Sequence, residues 1–127
     1  MITQFNEAEI QNNWELVVSN NSSWIQKNNV QIYIAVLYKN SVNELLLVIW
    51  DMNMKLGSDS YTTVKPIYQF TVGSLEKPEL GMIRTILSKY NNKKTNCSFP
   101  YERTWLTPYG KRVKLKDYLQ KLSKKQQ

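Results

Sequence analysis

Hydrophobic residues recur along this chain with two different periods, and the changeovers between them mark its elements. Ile10, Trp14, Val17 and Val18 follow the i, i+4, i+7, i+8 spacing of one helix face. Asn6 with Glu9 three residues later gives a capping-box signature at the start of that stretch. The pattern predicts a helix from Glu7 to Ser19, which the polar run Asn20, Asn21, Ser22, Ser23 would end. Paired valines are mediocre helix formers, so a short strand from Trp14 to Val18 is the alternative reading.

From Val30 the period becomes two. Val30, Ile32, Ile34, Val36 and Tyr38 alternate with a second row that is itself mostly apolar, which predicts a strand from Val30 to Lys39. After a break at Asn40 to Asn43, Leu45 to Met52 reads as another strand apolar on both faces, and the two should form the centre of a sheet. Tyr61 to Val72 returns to β-branched and aromatic residues. Pro66 cannot donate to a ladder, so this segment should be an edge strand or be split by a bulge.

The helical period resumes after Pro78, where Met82, Ile83, Ile86, Leu87 and Tyr90 form an apolar stripe and the proline suits a first helical position. The cluster Asn91 to Lys94 stops it. From Thr95 to Gly110 no period is sustained, and Pro100, Pro108 and Gly110 suggest a long ordered loop with aromatic anchors. A short strand over Arg112 to Leu115 and a last helix bearing Leu115, Tyr118, Leu119 and Leu122 follow, with a frayed tail from Ser123. The expected fold is α+β: a small antiparallel sheet of three to five strands packed against two or three helices, the helices forming a single layer on one face.

At 127 residues the chain has the modal size of one domain, so residues 1–127 are taken as a single domain with a basic C-terminal region over 93–127. Its hydrophobic share of 42% and aromatic share of 12% exclude a disordered segment. Cys97 is the lone cysteine, which excludes an internal disulfide and a cysteine-built metal site. The first ten residues carry Glu7 and Glu9 and no apolar run, unlike a secretory leader, and a cytoplasmic location is expected. The longest apolar runs, Ile32 to Tyr38 and Leu45 to Trp50, fall far short of the ~18 residues a membrane span needs.

Charge adds more than composition does. The net charge is +7, yet residues 1–92 hold seven basic and eight acidic side chains, whereas residues 93–127 hold ten basic and two acidic ones. A positive field concentrated in one quarter of the chain attracts phosphate or an acidic protein surface. That quarter also interleaves cations with rings. Lys93, Lys94, Arg103, Trp105, Tyr109, Lys111, Arg112 and Lys114 are the candidate nucleic-acid-binding residues, cations for phosphates and rings for base stacking. Against this stands the reading in which Phe99, Trp105 and Tyr109 close over the core and the lysines are the solvated face of the last helix.

Other chemistry is poorly supplied. Histidine is absent, which removes the side chain most used for proton transfer near neutral pH and the commonest metal ligand. Cys97 has only Lys93 and Lys94 nearby to activate it. Glu44, Asp51 and Asp59 match no metal-binding spacing, and the four glycines are too scattered for a phosphate loop. No cofactor, metal or catalytic residue is expected.

The composition therefore points to a non-enzymatic nucleic-acid-binding or regulatory protein, with single-stranded DNA or RNA favoured as partner. An inhibitor of a host nucleic-acid enzyme or defence system, acting on an acidic protein, is the alternative. A histidine-free ribonuclease toxin using Tyr109, Lys111 and Arg112 is the remaining reading, and a basic helix resting on anionic lipid is disfavoured because its apolar face is needed by the core. Thirteen asparagines beside many lysines suggest an AT-rich coding sequence, as in a phage or other mobile element.

Overall fold

A computed structural model of the protein describes residues 5–26, 29–55, 57, 61–90, 99, 101 and 105–125, with the backbone alone at 23–26, 29, 53–55, 61–63 and 125. In chain order the elements are α1 (Glu7–Asn13), β1 (Glu15–Gln26), β2 (Asn29–Lys39), β3 (Glu44–Lys55), β4 (Tyr61–Ser74), α2 (Leu80–Lys89), β5 (Trp105–Leu106), β6 (Arg112–Val113) and α3 (Leu115–Lys125). The strands form one antiparallel sheet in the order β4-β3-β2-β1-β5-β6. The fold is α+β as expected, but with six strands in place of three to five. The extra members are β1, which the helical reading had absorbed, and the two-residue β5, too short to show a period.

The capping box forms as its residues suggest. The Asn6 side chain accepts the Glu9 N–H at 2.9 Å, and the Glu9 carboxylate accepts the Asn6 N–H at 3.2 Å. The helix nevertheless stops at Asn13, not Ser19, because Trp14 turns extended. From there β1 pairs with β2 along its whole length, from Glu15 opposite Lys39 to Gln26 opposite Asn29. The run Asn20 to Ser23 does not end an element but lies within this strand, with Asn20 and Ser22 buried. Between the Leu16–Tyr38 and Val18–Leu37 pairs, Val17 is an additional residue, a β-bulge that sends Val17 and Val18 into one buried cluster.

The central strands β2 and β3 are apolar on both faces, and each face is covered. Ala35, Leu37, Leu45, Leu47 and Ile49 pack with Ile83, Ile86 and Leu87 of α2 and with Leu115 and Leu119 of α3. On the opposite face Val36, Leu46, Val48 and Trp50 pack with Ile10 of α1, and Phe5 and Trp14 flank them. Helices thus lie on both faces, correcting the expectation of a single layer. The second apolar row of β2 and β3 has to be removed from water too, and α1 supplies its cover.

Pro66 satisfies both of its predicted accommodations. Strand β4 is an edge strand, and its register against β3 shifts between the Ile49–Tyr68 and Trp50–Pro66 pairs. At the exit of β4, Gly73 adopts φ +86° and bridges to Pro78, and α2 begins two residues later than Pro78 itself. No helix among the described residues is long and apolar enough to cross a membrane.

Candidate nucleic-acid interface

Strands β5 and β6 are joined by a tight turn that decides where the C-terminal cations and rings point. The Thr107 N–H donates to the Lys111 carbonyl at 2.8 Å, and the Gly110 N–H donates to the Thr107 carbonyl at 3.0 Å. The buried Thr107 hydroxyl accepts the Lys111 N–H at 3.1 Å. Pro108 presets the second turn position, while Gly110 takes φ +82°, a left-handed conformation that glycine adopts freely. This turn lifts Tyr109 into solvent, where it is 90% exposed.

Strand alternation then sorts the neighbours. Val113 lies opposite Trp105, whose ring is fully buried in the cluster beneath α2 and α3, whereas Arg112 lies opposite the partly exposed Leu106. Arg112 is exposed and is not among the residues that line the groove with Lys111 and Lys114. Trp105 is a correction to the candidate set: its indole N–H donates to the Tyr101 carbonyl and its ring is 0% exposed, so it cannot stack on a base. Phe99 is likewise a core residue, so the reading in which the aromatics close over the core holds for these two and fails for Tyr109.

Helix α3 continues the arrangement. The Lys114 carbonyl accepts the Tyr118 N–H at 3.0 Å, and Leu115 and Leu119 are buried against the sheet. Lys114, Asp117, Tyr118 and Lys121, spaced i, i+3, i+4 and i+7, share another face. Between that face, the β5–β6 turn and the adjoining ends of β1 and β2 lies an open groove of about 520 Å³. Its cations are Lys39, Lys111, Lys114 and Lys121, its carboxylates are Glu15 and Asp117, and Tyr109 and Tyr118 are its rings. Glu15 is committed to Lys39 at 3.5 Å across the β1–β2 pair. Lys111, Lys114 and Lys121 make no ion pair among the described residues, and Asp117 sits in the first turn of α3, where the helix dipole favours a carboxylate. Burial, and secondarily the neighbouring Tyr109 phenol, raises the Tyr118 pKa, so Tyr118 presents a protonated hydroxyl.

A second recess of about 440 Å³ adjoins the first. It lies between the starts of α2 and α3, with Leu80, Gly81 and Arg84 on one side and Lys114, Lys116 and Asp117 on the other. The Arg84 guanidinium rests 4.5 Å above the Tyr101 ring, and the Tyr101 hydroxyl donates to the Leu80 carbonyl at 3.4 Å.

Of the candidate residues, the structure brings Tyr109, Lys111 and Lys114 together and separates Trp105 and Arg112 from them. Lys93, Lys94 and Arg103 lie outside the described residues, as do Cys97 and Asp59. Lys121 belongs to the groove and could have been found from its i+7 spacing to Lys114. Lys39 and Arg84 could not, because only the β1–β2 register and the packing of α2 beside α3 bring them near. Glu44 and Asp51 stand seven residues apart on β3, about 23 Å, each held by a local amide: Asn40 donates to Glu44 and Gln31 to Asp51. Among the described residues no cluster of three metal-ligating side chains exists.

No protein-family model, curated protein or solved structure matches the chain.

Proposed function

We propose that the protein binds single-stranded nucleic acid without acting on it chemically, through the groove between α3 and the β5–β6 turn. The observation that carries this reading is the placement of Lys111, Lys114 and Lys121 around a recess whose rim holds Tyr109, 90% exposed. Cations placed this way neutralise phosphates, and an exposed phenol ring offers a base a stacking surface worth about 1–3 kcal/mol. The lack of histidine in the sequence favours binding over catalysis.

The test is fluorescence anisotropy with labelled single-stranded DNA and RNA. The triple variant Lys111→Ala, Lys114→Ala, Lys121→Ala should bind at least about tenfold more weakly than wild type. It should also flatten the dependence of log affinity on log salt by about 2, since each single-strand phosphate contact contributes ~0.7. Unchanged affinity and slope would overturn the reading. If wild type binds no oligonucleotide but retains a stoichiometric acidic protein after nuclease treatment, the protein-directed alternative replaces it.

A further inference from the structure

We propose that the groove selects single strands carrying guanine, whose Watson–Crick edge donates from N1–H and the 2-amino group to the Asp117 carboxylate while its O6 accepts from a groove lysine. This inference rests on the nucleic-acid reading above and deepens it from single strands in general to one base. Its basis is a carboxylate that a groove built only for phosphates would not need. Asp117 lines the recess with Lys114 three residues before it and Lys121 four residues after it on the same helix face. It is exposed, and its carboxylate makes no ion pair or hydrogen bond among the described residues. The other carboxylate of the groove, Glu15, is engaged by Lys39. Left so, Asp117 repels every phosphate that the neighbouring lysines attract, a cost that is offset only where a bound group donates to it.

The edges of the bases decide which group that is, and a single strand leaves those edges open. Guanine alone sets two donors side by side, N1–H and the 2-amino group, with the acceptor O6 next to them. Adenine and cytosine place a ring-nitrogen acceptor beside their amino group, and uracil and thymine flank their one N–H with carbonyls, so each turns a lone pair towards a carboxylate. Two parallel N–H bonds to a charged acceptor are the strong and directional kind, and an ammonium on O6 completes the edge. Along the axis of α3, Lys114 lies about 4.5 Å and Lys121 about 6 Å from Asp117, a spacing that suits a cation and an anion meeting opposite ends of one base edge. The Tyr109 ring on the rim stacks on any base, so discrimination falls to Asp117.

The test uses four labelled oligothymidylate strands that differ at one central base, guanine, inosine, adenine or cytosine, measured by fluorescence anisotropy with wild type and with Asp117→Asn. A single guanine per strand keeps the probes from associating with one another, and inosine lacks only the 2-amino group. Wild type should bind the guanine strand about tenfold more tightly than the adenine and cytosine strands, with inosine between them. Asp117→Asn exchanges one acceptor for a donor and removes the charge, so it should bind the guanine strand more weakly and the adenine and cytosine strands more tightly, bringing the four together. Asp117 is exposed, so the variant should keep a melting temperature near that of wild type. A guanine preference that survives in Asp117→Asn, or inosine bound as tightly as guanine, overturns the contact. Equal binding of all four strands by wild type overturns guanine selection, while the groove reading stands on the lysine triple variant. If wild type binds none of the strands, both readings fall.

Discussion

Tyr38 and Trp50 meet on the α1 side of the sheet, where the Trp50 indole N–H donates to the Tyr38 hydroxyl at 3.0 Å. Burial pushes the Tyr38 pKa up to about 12, more than the bond from Trp50 lowers it. The native state then holds this proton through the interval from pH 10 to about 12, in which the unfolded chain has already released it. The associated stability is therefore intact below pH 10 and declines as pH rises towards 12. Tyrosinate absorbance should show Tyr38 ionising last or only on unfolding, and Tyr38→Phe should flatten the alkaline decline. That variant should also be destabilised at neutral pH by about 1–3 kcal/mol in urea titrations, because it leaves the Trp50 N–H without its acceptor. Single residues were also where the sequence was hardest to read. Trp105 and Tyr109 lie four positions apart in one aperiodic stretch, yet one is wholly buried and the other almost wholly exposed. A turn held by the Thr107 and Lys111 backbones makes that difference, and aromatic content alone does not report it.

The central strands β2 and β3 and the amphipathic α3 could be read from periodicity, because their buried positions follow from spacing within the element itself, and the edge position of β4 from Pro66, which cannot donate to a ladder. Strand β1 could be read only in part, through the alternative of a short strand from Trp14 to Val18, which the structure bears out from Glu15 onward. Its first half imitates a helix stripe because a bulge displaces the alternation at Val17, and its second half is polar because Asn20 and Ser22 are buried in the pairing with β2 rather than exposed in a loop. The junction between β4 and α2 was also opaque, although it carries a clear local demand. A Cβ on Gly73 would stand 2.5 Å from the Lys77 carbonyl oxygen, a backbone atom that cannot swing aside, at a φ of +86°. Gly73→Ala should therefore lose stability by more than the ~1–3 kcal/mol of left-handed strain alone. Gly57→Ala, at a similar φ but with no atom of the described residues within 4 Å of its Cβ, should lose only the strain. Thermal melts of the two variants would show the difference.

Across the whole molecule, the charge asymmetry along the sequence marks the C-terminal quarter but not the cations that the fold brings beside it. Residues 1–92 are nearly neutral in sum, and yet two of their cations, Lys39 and Arg84, stand beside those of α3, because the sheet order and helix packing join distant parts of the chain. The same order sets the hierarchy of local opening. Strands β2 and β3 are each paired on both sides, so their amides should exchange with solvent most slowly, and those of the seven-residue α1 and the two-residue β5 and β6 much faster. The bulge at Val17 carries a consequence for how the chain could shorten over evolutionary time. Loss of one codon from β1 beyond the bulge would shift the register of part of the hairpin and invert inside and outside there. Loss of the Val17 codon would instead place Leu16 and Val18 on successive partners, Tyr38 and Leu37, in unbroken alternation, so that the bulge is where this strand can shorten by one residue and leave its other pairs with β2 as they are.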